Sequence, residues 1–211
     1  MIKKIVSFFM VGVAVLLLPS CEGILSDIYD DPQQTDIPDY GFISAATQTT
    51  PGTIYIDATS YTEWVYLDFS AMTAESLSVD APAPSAWDIA IHRYDAKTNE
   101  ATVSVTDSGD FTSLNAIGAP VADEWTTQTI VTDMSTMMDG YLTYAESSYN
   151  RELSRWLDVD TSTMPPIYTM SGKVYLVNLR DGRRVALRLD NYMDDFGIKG
   201  FLTIRYLIIA E

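Results

Sequence analysis

Methionine side chains stand out among the groups of this chain that could do chemistry, because they occur in polar, turn-rich segments. Met134, Met137 and Met138 lie close together, and Met164 follows a run of hydroxyl and acidic residues. Thioether sulfur binds copper(I) and is an axial ligand of haem iron, although methionine more often fills gaps in a hydrophobic core. The residues alone leave both interpretations open, and a copper site usually gathers more sulfur or histidine ligands.

His92 is the one histidine, so any imidazole chemistry of the chain would have to use it. It is predicted to lie in the middle of a strand, between Asp88 and Tyr94, where a hydrogen-bonded structural role is the more common one. No G-x-S-x-G motif accompanies it. Because the chain has 29 acidic residues, neighbouring carboxylates such as Asp158 and Asp160 say little about a glycosidase geometry. An enzyme is therefore the least expected class.

Residues 1–20 have the anatomy of a bacterial lipoprotein signal peptide. Lys3 and Lys4 precede an apolar run at 5–18, and a small residue stands directly before Cys21. The run is too short to span a bilayer. We expect a lipid on Cys21 to anchor the protein without a transmembrane helix, the alternative being an ordinary secretory signal. Cys21 is the only cysteine, so neither an internal disulfide nor a cysteine metal site is expected.

After the signal, an acidic segment at 21–50 is predicted to be a flexible tether, and 51–211 to be a single domain. The formal charge of the whole chain is −16, and loss of Lys3 and Lys4 with the signal makes it −18. So acidic a chain repels nucleic acid, which we exclude as a partner. Hydrophobic residues make up 47% of the sequence, which indicates a folded domain and not an acidic tail.

Alternation of apolar and polar residues predicts an antiparallel all-β domain of the sandwich type. A turn is expected at 97–99, and Asp181-Gly182 is a strong hairpin signal near the C-terminus. The strands are expected near 53–58, 64–69, 87–95, 101–105, 127–132, 173–179, 184–189 and 200–208.

One short helix is expected at 141–157, before the C-terminal meander. Tyr149, Leu153 and Trp156 fall at helical spacing there, and polar residues fill the other faces. This helix would separate the two methionine-bearing segments. Aromatic residues close to them in sequence could form the walls of a flat apolar ligand site: Tyr141, Tyr144, Tyr149, Trp156 and Tyr168.

The stretch 87–95, W-D-I-A-I-H-R-Y-D, and the C-terminal segments K-V-Y-L-V, D-G and K-G-F-L-T-I-R-Y resemble the HmuY family of haem-binding lipoproteins from Bacteroidetes-type bacteria. The resemblance covers nearly the whole domain. It implies a hand-like all-β fold and the role of a haemophore. Such a protein captures haem b non-covalently from host haem proteins and delivers it to a TonB-dependent receptor. The resemblance also implies a lipid-anchored protein of the outer membrane, exposed at the cell surface.

The best-known member of that family binds haem through two histidines, and this sequence departs from it. Thr161 stands where the second histidine would be, with Met164 three residues on. Members with a methionine-rich pattern are thought to use two methionines. The resemblance therefore implies Met137 and Met164 as iron ligands, with Met138 as the reserve for Met137. If haem binds there, we expect Arg151, Arg155 or Lys173 to pair with its propionates. A lipoprotein without haem, acting in adhesion or in glycan or peptide uptake, remains the alternative.

Overall fold

The computed structural model describes residues 39–133 and 143–209, and these residues confirm the antiparallel all-β prediction. They form fifteen strands and one 3₁₀ helix (Leu153–Trp156), and every strand pairing is antiparallel. The strands are β1 (Gly41–Ser44), β2 (Gly52–Asp57), β3 (Glu63–Asp68), β4 (Thr73–Ser78), β5 (Ile89–His92), β6 (Asp95–Thr98), β7 (Thr102–Thr106), β8 (Ala116–Ala122), β9 (Glu124–Asp133), β10 (Thr143–Tyr149), β11 (Leu157–Asp160), β12 (Ile167–Met170), β13 (Tyr175–Asn178), β14 (Arg184–Met193) and β15 (Lys199–Ile209).

The larger sheet has seven strands in the order β1-β2-β15-β14-β13-β7-β8. Its central strands alternate buried and half-exposed residues, so that Ile54 and Ile56 of β2 and Ile204 of β15 face the core. The predicted hairpin at Asp181-Gly182 joins β13 to β14. Gly182 takes a φ of +90° in this turn, a conformation that disfavours any residue with a Cβ atom.

The smaller sheet has four strands in the order β4-β3-β5-β6 and packs face to face on the larger one. Val65, Leu67, Ile89 and Ile91 enter the same buried cluster as the core residues of β2 and β15. The two sheets therefore form a sandwich around one main core. Trp64, Tyr66 and Ala90 make a second buried cluster on the outer face of the smaller sheet.

Two features of local structure differ from prediction near the 87–95 motif. The motif is one strand in the prediction, but β5 ends at His92 and β6 begins at Asp95. Arg93 makes the turn between them with a φ of +56°. The predicted turn at 97–99 is therefore wrong for Lys97 and Thr98, which belong to β6. No Gly or Asn marks the Arg93 turn in the sequence, so local turn signals could not place it.

The predicted helix at 141–157 is also wrong. Thr143–Tyr149 is strand β10, which pairs with β9, and only the four residues Leu153–Trp156 are helical. Leu153 and Trp156 are both buried at the three-residue spacing of a 3₁₀ turn. The helical spacing of Tyr149, Leu153 and Trp156 predicted a longer helix, but the residues of β10 pair with β9, and this pairing overrides their local helical pattern.

Strand β1 lies inside the segment 21–50 that was predicted to be a tether, and it pairs with β2. Residues 1–38, including Cys21 and the predicted signal peptide, lie outside the described residues. Within 39–133 and 143–209, no helix is long and apolar enough to cross a membrane.

Candidate functional site

Two hairpins form two-stranded sheets that are separate from both sheets of the sandwich. Strands β9 and β10 make the long hairpin, and strands β11 and β12 make the short hairpin. Because the 3₁₀ helix Leu153–Trp156 lies between β10 and β11 in the chain, this helix connects the two hairpins. The geometry of any site shared by both hairpins therefore depends on how their bases are held.

Asn150 is a buried hub at the base of both hairpins. Its side-chain amide donates to the Val121 carbonyl and to Asp123 Oδ1, at 3.0 Å each. Its Oδ1 accepts from the N–H groups of Glu152 (3.2 Å) and Leu153 (3.0 Å), at the start of the 3₁₀ helix. All the hydrogen-bonding capacity of this side chain is thus used to join the strand before the long hairpin to the helix before the short one.

Strand β6 ties this hub to the sandwich. The backbone N–H of Asn150 donates to the Ala96 carbonyl at 2.7 Å, and the N–H of Ala96 donates to Ser154 Oγ at 3.0 Å. Asp123 accepts from both the N–H (2.7 Å) and the hydroxyl (2.8 Å) of Thr98. The sequence did not indicate the roles of Asn150 and Asp123, since their side chains bond to partners 25 to 29 positions away.

Trp156 completes the support of the short hairpin from within the core. The indole is almost fully buried, and its Nε1 donates to the Tyr94 carbonyl at 2.8 Å. This placement makes the indole a structural anchor, so the prediction that Trp156 could wall a ligand site is wrong. Tyr168 is also packed, with its ring stacked on Tyr192 at 5.4 Å and edge-on to Tyr94 at 5.6 Å.

Met164 lies in the connection between β11 and β12, and 89% of its surface is exposed. Such exposure excludes the core-filling role that methionine usually plays. Strand β9 ends at Asp133 and β10 begins at Thr143, so the other three methionines belong to the sequence that connects the long hairpin. Met134, Met137 and Met138, together with Tyr141, lie outside the described residues.

Further apolar side chains are exposed on the two hairpins. Tyr144 is 51% exposed on β10 and Ile167 is 53% exposed on β12. Trp125 of β9 is 75% exposed. It pairs with Ser148 of β10. Sequence analysis did not single out Trp125, although a tryptophan among Thr and Gln residues is unusual for a core strand.

A cavity of about 450 Å³ lies beside the bases of the hairpins. Arg151 and Arg155 line it, whereas Lys173, the third predicted propionate partner, does not. Both arginine side chains are exposed. Among the described residues Arg151 pairs with the exposed Glu124 at 3.8 Å, and Arg155 pairs with the less exposed Glu152 at 3.6 Å. Ion pairs of exposed cations are weak, so an anionic ligand can compete for them. The other lining residues are Arg93, Tyr94, Asp95, Tyr149, Ser154, Leu157, Asp158 and Val159.

His92 has the structural role that the sequence predicted. Its ring is buried against Trp64, and Nε2 lies 2.7 Å from the Tyr61 carbonyl oxygen. Burial lowers the pKa of the imidazole below its usual value, so the ring is neutral at pH 7 and above. Across the described parts of the chain, no three His, Cys, Asp or Glu side chains gather into a metal-binding group.

The described residues thus form an antiparallel β-sandwich with exposed methionine and aromatic side chains on two separate hairpins, which makes the hairpins a candidate ligand site outside the core. The family model described as HmuY protein matches residues 60–206. The chain therefore belongs to the HmuY family. No curated protein matches the chain.

Three solved structures place the chain among its relatives. A protein from Bacteroides vulgatus ATCC 8482, described as HmuY-like and heme binding, is 49% identical over 82% of this chain and all of its own, with a TM-score of 0.76. A lipoprotein from Bacteroides fragilis NCTC 9343 is 46% identical over 83% of this chain and 98% of its own, also with a TM-score of 0.76. Apo PinO from Porphyromonas gingivitis is 26% identical over 77% and 98%, with a TM-score of 0.65.

Proposed function

We propose that this protein is a haem-binding protein without enzymatic activity, which holds haem b non-covalently between the connections of its two hairpins. Membership of the HmuY family supports haem as the ligand, as does the 49% identical relative described as heme binding. The single observation that carries the proposal for this chain is the exposure of Met164. An apolar, soft donor held in solvent on a hairpin has no packing role, but it can reach an iron atom.

Met137 and Met164 are the proposed axial ligands, with Met138 in reserve for Met137. The two hairpins bring one thioether each, so that the porphyrin would lie between them with one ligand on each face. Thioethers are neutral and soft, and they favour ferrous iron more than imidazole does. We therefore expect tighter binding of reduced than of oxidised haem.

The rest of the haem surface needs apolar cover and positive charge. Trp125, Tyr144 and Ile167 are exposed on the same two hairpins and can supply apolar contact. Arg151 and Arg155 can meet the propionates, because they line one cavity and both guanidinium groups are exposed. These two cations relieve locally the repulsion that a chain of net charge −16 exerts on an anionic ligand.

The proposed setting is the cell surface, with Cys21 lipidated and the domain anchored in the outer membrane. The 46% identical relative named as a lipoprotein supports the anchor. Host haem proteins are the proposed donors and a TonB-dependent outer-membrane receptor is the proposed acceptor. Reversible, non-covalent axial ligation suits such a carrier, since the ligand has to leave again intact.

Titration with haemin, followed by absorption spectroscopy in the oxidised and the dithionite-reduced states, tests the proposal. We expect a saturable Soret change for the wild type, and altered spectra with at least 10-fold weaker binding for Met137→Ala and Met164→Ala. Met170→Ala is the matched control, because Met170 lies at the base of the short hairpin, opposite Leu157. It should bind like the wild type.

Each outcome of that titration has a separate meaning. No saturable Soret change in either redox state would refute haem binding. Unchanged spectra in the Met164→Ala variant would retain haem but reject Met164 as a ligand. If Met138→Ala loses binding while Met137→Ala does not, then the first ligand is Met138. Met164→Ala should unfold within about 0.5 kcal/mol of the wild type, because an exposed side chain contributes little to stability.

A further inference from the structure

A second candidate site lies between strands β2, β3 and β4. It is a cavity of about 260 Å³. Two carboxylates, Asp57 and Glu63, line it together with the ring of Tyr40. No lysine or arginine is among its lining residues within the described part of the chain. The remaining lining residues are small, hydroxylated or apolar: Ile56, Thr59, Ser60, Val65, Ala74 and Ser76.

Tyr40 connects this cavity to an exposed aromatic surface. Its ring lies nearly parallel to those of Tyr55 and Phe201, with ring centres 5.6 and 6.4 Å away, and Tyr55 and Phe201 are 6.2 Å apart. Tyr40 itself is 48% exposed. Three aromatic rings in mutual contact at the surface are a costly arrangement for a face that meets only water, and they favour a face that meets a partner.

The turn between β14 and β15 extends this surface with Phe196 and Ile198, both about half exposed. Asp194 shapes the turn by accepting from the backbone N–H groups of Phe196 (3.0 Å) and Ile198 (2.7 Å). Burial raises the pKa of Tyr40, and the nearby carboxylates of Asp57 and Asp194 raise it further. The surface therefore combines exposed apolar groups with carboxylates.

The charge of the cavity decides which partner it fits. Asp57 Oδ1 accepts from the Thr59 N–H at 2.9 Å, which leaves its second oxygen available, and Glu63 makes no ion pair with any described residue. Arg93 donates to the Thr59 carbonyl but stacks on Tyr61 at 4.4 Å and does not line the cavity. An anion would be repelled here, whereas a planar cation could stack on Tyr40 and pair with both carboxylates.

We propose that this face is a protein-docking surface, which takes an arginine side chain of a partner protein into the cavity lined by Tyr40, Asp57 and Glu63. The guanidinium stacks on the tyrosine ring and donates to the two carboxylates. The rings of Tyr55 and Phe201 and the turn carrying Phe196 then cover the apolar surface around that arginine. This surface does not use the hairpin connections, so a partner could dock while the proposed haem site is occupied.

Nuclear magnetic resonance titration of the purified protein tests this inference with three probes: acetyl-Gly-Arg-Gly-amide, the same peptide with neutral citrulline in place of arginine, and glucose. We expect the arginine peptide to shift resonances of Tyr40 and Ala74 saturably, with citrulline at least 10-fold weaker and glucose without effect. The double variant Asp57→Asn/Glu63→Gln should weaken the arginine peptide at least 10-fold. Glu75→Gln is the matched control, because Glu75 stands on β4 between the lining residues Ala74 and Ser76 but does not line the cavity.

Several results would overturn the proposal. Equal binding of arginine and citrulline peptides would show that charge does not select the ligand. A response to glucose alone would make the cavity a sugar site. The absence of saturable shifts at Tyr40, or an equal loss in Glu75→Gln, would remove the site altogether. Should the double variant fold poorly, Ser76→Lys provides a second test, since an ammonium group inside the cavity should block the peptide without removing either carboxylate.

Discussion

Replacement of Asn150 by alanine should destabilise the protein strongly, because the side chain is fully buried and makes four hydrogen bonds. Loss of the two acceptor contacts at the start of the 3₁₀ helix should cost about 1–2 kcal/mol, as for other capping side chains. The bond to the Val121 carbonyl adds about 1 kcal/mol, and the bond to the Asp123 carboxylate adds about 1–2 kcal/mol. The free energy of unfolding should therefore fall by about 3–5 kcal/mol.

Urea unfolding followed by tryptophan fluorescence measures this loss, since Trp64 and Trp156 are buried reporters. Asn191→Ala is the matched control. Asn191, near the end of β14, makes three side-chain hydrogen bonds to the backbone of the next two residues. It is exposed, so water replaces the lost partners and the cost should stay below about 1 kcal/mol. If the free energy of unfolding of Asn150→Ala falls by less than about 1 kcal/mol, Asn150 is not the structural hub of the hairpin bases.

The same variant also tests whether the hub positions the proposed haem site. Asn150 lies at the hairpin bases, and haem binding should weaken at least 10-fold at a temperature where the variant is still folded. The reason is that the variant loses the side-chain bonds that join Asp123, before the long hairpin, to the start of the 3₁₀ helix, before the short hairpin. The backbone bond from residue 150 to Ala96 remains. Haem affinity that is unchanged in a clearly destabilised variant would contradict this link between the hub and the site.

Two further predictions concern the elements around the hub. Burial among aromatic rings lowers the pKa of Lys97 to about 8, so above pH 8 the unfolded chain binds more protons than the native protein and stability rises with pH. Between pH 7 and 9 the free energy of unfolding of the wild type should rise by about 1 kcal/mol relative to that of Lys97→Met, whereas the control Lys173→Met should keep the rise. An equal pH dependence of unfolding in the wild type and in Lys97→Met would contradict this prediction. Trp156→Phe should cost about 2–3 kcal/mol in urea unfolding, because it leaves the Tyr94 carbonyl without its donor and opens a small void, while Trp125→Phe, at an exposed position, should cost less than about 0.5 kcal/mol.

Local signals in the sequence were sufficient for four neighbouring strands of the larger sheet and for one of its turns. Period-two alternation depends only on which face of a strand is buried, so it placed β2, β13, β14 and β15 within a few residues. The pair Asp181-Gly182 predicted the hairpin turn correctly, because the turn requires a positive φ at Gly182 and glycine adopts it easily. His92 was likewise recognised as structural, since its place inside a strand of mixed apolar residues already indicated burial.

The same signals failed where a distant partner decides the conformation. The segment Thr143–Tyr149 is a strand because β9 supplies its hydrogen-bond partners, and no residue type within the segment indicates that pairing. Trp156 could not be distinguished from a ligand wall by its position in the sequence, since the Tyr94 carbonyl that fixes it lies 62 residues away. Burial and pairing of this kind are properties of the packed chain and not of any short window.

Met164 shows the division most clearly. The sequence by itself identified the methionine, its polar surroundings and its resemblance to a family pattern, because residue type and spacing are local facts. Only the tertiary structure decided between a core filler and an exposed donor, since side-chain exposure depends on what every other segment covers. The acidic cavity beside Tyr40 could be found only in the folded protein, because Asp57 and Glu63 belong to different sheets and meet there through the packing of the sandwich.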